Sequence, residues 1–99
     1  MDDAGKKINW ATDFGINELL HQRSQLLAGA YTRMSINYPN HRDSKFWDEQ
    51  GLLWARYERA IKDLVFNTQE EGNKEIERLS AELKKVLAIE KSFINQKSA

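Results

Sequence analysis

Three polar side chains interrupt apolar helical stripes in this 99-residue chain, and they are the residues best placed to do chemistry: Arg23, Gln50 and Glu90. An arginine drawn onto an apolar face is strongly destabilising unless it is paired. Arg23 therefore calls for a carboxylate, an array of carbonyls or an anionic ligand. Arg42, Gln50 and Arg56 complete the set of possible anion or polar contacts. With turns centred near residues 39 and 67, Arg23 comes level with Arg56 and Tyr57 and then with about Leu79, while Gln50 comes level with Gly29 and Lys85. The three interrupting residues do not converge within one chain. The simpler expectation is that Arg23 extends its head to solvent and Gln50 fixes helix register.

The remaining reactive types give less. His21 falls on the polar side of a helix and His41 in a turn, so both read as surface histidines. The pairs Asp48–Glu49 and Glu70–Glu71 are adjacent in sequence and point in different directions on a helix, as cap and dipole charges do. There is no Gly-rich phosphate loop, no His-x-x-x-His or Glu-x-x-His pair and no Gly-x-Ser-x-Gly elbow. Cysteine is absent, which removes thiolate chemistry and fits a reducing compartment. The expectation is no catalytic residue, no metal and no cofactor.

Aromatic side chains offer a different kind of site. Trp10, Tyr31, Trp47, Trp54 and Tyr57 are candidate anchors for a partner protein, because Trp and Tyr are enriched in interface hot spots. For Trp10 the competing expectation is that it folds back, with Ile8 and Phe14, onto the edge of the domain.

These residues sit on three predicted helices. Helix A spans 12–36, capped by Thr12 or Asp13, with the stripe Ile16, Leu20, Arg23, Leu27, Ala30, Met34 and with Leu19, Leu26 and Tyr31 beside it. Pro39 ends it. Helix B spans 44–66 after Asp43 or Ser44, with the seam Phe46, Gln50, Leu53, Tyr57, Ala60, Leu64. Trp47, Trp54 and Ile61 run alongside, and this broad, aromatic-rich band makes helix B the expected centre of the domain. Gly29 and Gly51 permit close helix approach. Thr68-x-x-Glu71 has the form of a capping box and starts helix C, 69–94. Its seam is Ile76, Leu79, Leu83, Val86, Phe93, its polar first two turns are expected to project, and its last residues to fray. Residues 1–8 read as a tail.

The fold class is all-α: one domain, a three-helix up-down-up bundle of long helices, dimerising through coiled-coil-like packing. Charge balances overall and locally, with five basic and four acidic residues in 1–42, four and five in 43–66, and six and six in 67–99. That disfavours a nucleic-acid or anionic-membrane partner. No apolar run is long enough to span a membrane, and the start lacks an apolar signal region. The preferred function is a cytoplasmic adaptor, inhibitor or regulator that binds protein through exposed aromatic anchors. The alternative is a small enzyme working by electrostatic positioning, as helical chorismate mutases do. It would draw on Arg23, Arg42, Lys45, Gln50 and Arg56, an analogy of architecture without that family's sequence pattern. A nucleic-acid-binding regulator using Arg33, Arg42, Arg56, Arg59 and Lys62 is a weaker third.

Overall fold

The computed structural model describes residues 15–98, with side chains as far as Ile94. The tail, the Thr12 or Asp13 cap and the placement of Ile8, Trp10 and Phe14 lie outside the described residues. Three helices follow: α1 Ile16–Asn37, α2 Ser44–Ala60 with a 3-10 turn Ile61–Asp63, and α3 Gln69–Ser98. Among the described residues the structure is all-helical, with the three helices packed together.

Local chemistry sets each boundary. Gly15 caps α1 with φ 71°, a left-handed conformation that glycine adopts without strain. Pro39 forces the exit, and the turn is closed by the Asp43 N–H donating to His41 Nδ1 at 3.0 Å. Helix α2 stops at Ala60 rather than near residue 66. After the 3-10 turn, Leu64 is extended, and the chain alternates: Leu64 and Phe66 pack on the core while Val65 faces solvent. Residues 64–66 thus reach the core with the two-residue period of an extended segment. At α3, the Glu71 N–H donates to Thr68 Oγ1 at 3.1 Å, and the Asn67 N–H donates back to Glu71 Oε1 at 3.4 Å. This reciprocal arrangement satisfies orphan donors at the helix start.

Helix α1, not α2, is the centre. It packs directly on both α2 and α3, whose backbones stay more than 8 Å apart. Helix α2 runs antiparallel to α1, as its contacts Ser44–Ser35, Gly51–Ala28 and Glu58–His21 show. Helix α3 runs parallel to α1: Gly72 sits on Ile16, Ser80 on Arg23 and Glu90 on Arg33. The start of α3 therefore does not project, because Gly72 is buried against Ile16.

The buried stripe of α2 is Trp47, Gly51, Trp54 and Ile61, one residue out of phase with the expected seam. Phe46, Leu53 and Ala60 face solvent instead. The cause is steric. A Cβ on Gly51 would lie 2.6 Å from Thr32 Oγ1 and 3.5 Å from the Ala28 carbonyl oxygen, so α2 approaches α1 most closely along the glycine and turns both tryptophans inward. On α1, Ser24 and Tyr31 are buried, while Leu19 and Leu26 are exposed.

Gly51→Leu is expected to destabilise the fold by about 1–3 kcal/mol, the usual cost of overpacking. Gly51→Ala should be close to neutral, because rotation of Thr32 relieves the contact and alanine favours helix by about 1 kcal/mol. Urea unfolding followed by circular dichroism separates the two.

Candidate functional site

Because the α2 and α3 backbones do not touch, a valley runs between them over α1, bridged by long side chains. The Tyr57 hydroxyl donates to Glu75 Oε2 at 2.7 Å, and Arg78 donates to both oxygens of the same carboxylate at 2.9 and 2.8 Å. The Arg78 guanidinium lies 5.7 Å over the Trp54 ring, a cation–π contact. One step along, the Tyr31 hydroxyl rises from α1 to donate to Glu82 Oε2 at 2.7 Å, with the Phe46 ring edge-on at 6.5 Å. The far end is closed by four rings: His41 stacks on Trp47 at 4.6 Å, and Phe93 of α3 meets His41, Trp47 and Tyr38.

Burial comes first in pushing the Tyr31 and Tyr57 phenols well above the ordinary tyrosine range, followed by their bonds to Glu82 and Glu75. Glu75 is held below the usual carboxylate range, chiefly by Arg78 and further by the Tyr57 hydroxyl, against the opposing effect of burial. The phenols are therefore protonated donors and Glu75 a charged acceptor at neutral pH. None of these groups is set to exchange a proton, so the bridges work as structural ties and polar contacts. Glu82 accepts from Tyr31 and has no cation within ion-pair distance among the described residues.

The sequence-derived site residues separate in this arrangement. Tyr31, Trp47 and Trp54 are buried and Tyr57 is half-buried, so in the single chain they build the core and the valley instead of forming an exposed aromatic surface. Trp10 lies outside the described residues. Arg23 donates from Nε to Ser80 Oγ at 2.7 Å and from Nη1 to Gln22 Oε1 at 3.3 Å. Arg42 is exposed, 4.0 Å from the Asp43 carboxylate, Gln50 is half-buried and Arg56 is exposed on the outside of α2. The structure brings no two of the arginines Arg23, Arg42 and Arg56 together. Glu90 is paired bidentately by Arg33 at 2.8 and 2.9 Å, which holds its carboxyl low. His21 lies 3.7 Å from Glu58.

Sequence reasoning missed the Tyr–Glu ties and the Arg33–Glu90 pair. Arg23–Ser80 and Arg33–Glu90 share one separation of 57 residues, and that offset becomes visible only once α1 and α3 are in register. Trp54 Nε1 and Asn17 Oδ1 are buried without a hydrogen-bond partner among the described residues, a cost of about 1–3 kcal/mol each.

Stability should fall at both ends of the pH scale. A carboxyl lowered in the fold stabilises above its unfolded pKa, so the contributions of Glu75 and Glu90 are present above about pH 4.5 and lost on acidification below it. A phenol raised in the fold stabilises below its unfolded pKa, so the contributions of Tyr31 and Tyr57 are lost above about pH 10. Melting temperature against pH checks this: Glu75→Gln should flatten the acid limb and Tyr57→Phe the alkaline limb.

Among the described residues, no three His, Cys, Asp or Glu gather to hold a metal ion, and no helix is long and apolar enough to cross a membrane. The chain matches no protein-family model, no curated protein and no solved structure.

Proposed function

We propose that this chain is a small protein-binding adaptor or regulator that carries out no reaction of its own, acts as a homodimer, and receives an amphipathic helix of a partner protein along the α2 rim of the valley. The observation that carries this is Phe46 and Leu53, seven residues apart on one flank of α2 and left 53% and 52% exposed. Side chains at that spacing face the same way on a helix and suit the apolar stripe of a second one. Glu82, half-buried and without a cation partner among the described residues, supports a lysine or arginine on the incoming helix. The contact would be made by Phe46 and Leu53 instead of the tryptophans. Electrostatic catalysis has less support, since Arg23, Arg42 and Arg56 occupy three separate surroundings. Nucleic-acid binding has none beyond scattered surface cations.

The test compares the wild-type chain with Phe46→Asp/Leu53→Asp in capture from a nuclease-treated lysate of the source cells. One near-stoichiometric protein is expected with the wild type and not with the double variant, whose circular dichroism should stay native. With that protein purified, the double variant should bind at least tenfold more weakly by calorimetry, a change of about 1.4 kcal/mol or more. Glu82→Gln should reduce the salt dependence. Recovery of the bait alone, or equal binding by the double variant, would sink the proposal.

A further inference from the structure

The flank of α1 and α3 on the side away from α2 carries a second apolar seam, and we infer that two copies of this chain meet there, antiparallel, about a two-fold axis near residue 85 of α3. This rests on the homodimer proposed above and fixes its surface and register. On α1 the flank is Leu19, Arg23, Leu26, Ala30, Arg33, and on α3 it is Ile76, Ser80, Leu83, Leu87, Glu90, Ile94, each at alternating spacings of four and three. The hydrogen bonds Arg23–Ser80 and Arg33–Glu90 set both stripes level at an offset of 57 residues, so Leu19 stands beside Ile76, Leu26 beside Leu83 and Ala30 beside Leu87. The polar rungs are thereby tied within the chain, and each apolar rung between them keeps one side open: Leu19 is 38%, Leu26 49%, Leu87 42% and Ile94 55% exposed, while Ala30 is buried and Ile76 and Leu83 are half-buried against the core.

The α3 stripe is self-complementary when reversed. About a centre at residue 85, Ile76 meets the partner's Ile94, Leu83 meets the partner's Leu87, and Ser80 meets the partner's Glu90. Ser80 Oγ already accepts from Arg23, so its O–H is directed to donate to that carboxylate. On the exposed rim, where facing positions of antiparallel helices centre about one residue before the seam's centre, Glu77 comes nearest the partner's Lys91, an opposite-charge pair made twice by the two-fold axis. A parallel pairing would leave Glu77 and the partner's Lys91 about 21 Å apart along the seam, at 1.5 Å per residue. Lys84 lies nearest the axis, where its long stem carries the ammonium outward from its symmetry mate. The seam from Ile76 to Ile94 is about 27 Å long at 1.5 Å per residue and two helices wide. That is a face on the order of 500 Å² per copy before side-chain relief, near the lower end of specific interfaces.

Sedimentation equilibrium on the full chain tests this, with circular dichroism as the control for folding. The wild type should be a dimer. Leu87→Glu/Ile94→Glu should be a helical monomer, and Lys91→Glu should weaken the dimer at least tenfold. The exchanged pair Glu77→Lys/Lys91→Glu should restore it. A wild type that remains monomeric at the highest attainable concentration overturns the inference, and leaves the partner contact at Phe46 and Leu53 standing. A dimer that survives Leu87→Glu/Ile94→Glu overturns the surface, and one not rescued by the charge exchange overturns the antiparallel register. If removal of residues 1–14 converts a monomer into a dimer, the chain's own N-terminal segment is the occupant and the second copy is not.

Discussion

The close contact of Gly51 with the Ala28–Thr32 turn of α1 decides how α2 is rotated, and much of the remaining structure follows from that rotation. A side chain larger than a methyl group at residue 51 would hold the two backbones apart. Its absence puts the line 47, 51, 54, 58, 61 against α1, so Trp47, Trp54 and Ile61 fill the core. The same rotation delivers Tyr57 to Glu75 of α3 and leaves Phe46 and Leu53 on the rim. Aromatic side chains bury the largest areas of any residue type, so turning two tryptophans inward outweighs exposing one phenylalanine and one leucine.

With α1 shared by both neighbours, α2 and α3 are joined only through side chains. A tie made by a phenol and a carboxylate spans a wider gap than leucine packing can, and burial keeps the phenol protonated to donate. Arg78 completes the device by neutralising Glu75 and covering the Trp54 ring. Phe93 does the equivalent work at the other end. It docks on the His41–Trp47 stack and anchors the α1–α2 turn to α3, standing level with the last turn of α1 at the offset that Arg23–Ser80 and Arg33–Glu90 set.

Element existence, the three-helix fold and the start of α3 were legible because each rests on local signals: apolar periodicity, Pro39, and the Thr68–Glu71 capping pair. The phase of α2 was not. Phe46, Gln50, Leu53 and Tyr57 form as regular a seam as Trp47, Gly51, Trp54 and Ile61, and only the steric demand of α1 chooses between them. The choice of α2 as centre failed for a related reason. Aromatic content measures how much a helix can bury, whereas centrality depends on how many neighbours it can approach closely. The small residues Ala28 and Ala30 mark α1 as the helix able to do so, while Gly29 meets only the Arg33 side chain of its own helix. The ionic and hydroxyl ties between helices were not legible at all, because side chains 18, 51 and 57 residues apart meet only after register is set.

The same ambiguity of phase gives α3 its two faces. Gly72, Ile76, Leu79, Leu83, Val86 and Phe93 form one heptad seam, and Ile76, Ser80, Leu83, Leu87 and Ile94 form another, sharing Ile76 and Leu83 and rotated by about 60° at 100° per residue. Facing one neighbour with the first seam turns the outer residues of the second away from it, since the two seams diverge by about 60° around the helix. Packing on α1 satisfies the first, where Leu79 and Val86 are fully buried, and leaves Leu87 and Ile94 of the second open. On α2 the rejected seam likewise supplies Phe46 and Leu53. Phe46 and Leu53 of α2 and Leu87 and Ile94 of α3 thus fall on alternative core faces that the fold did not use, whereas the exposed Leu52 lies on neither α2 seam. Their heptad spacing is what a second helix requires, and on α3 the polar positions Ser80 and Glu90 between them are already tied within the chain.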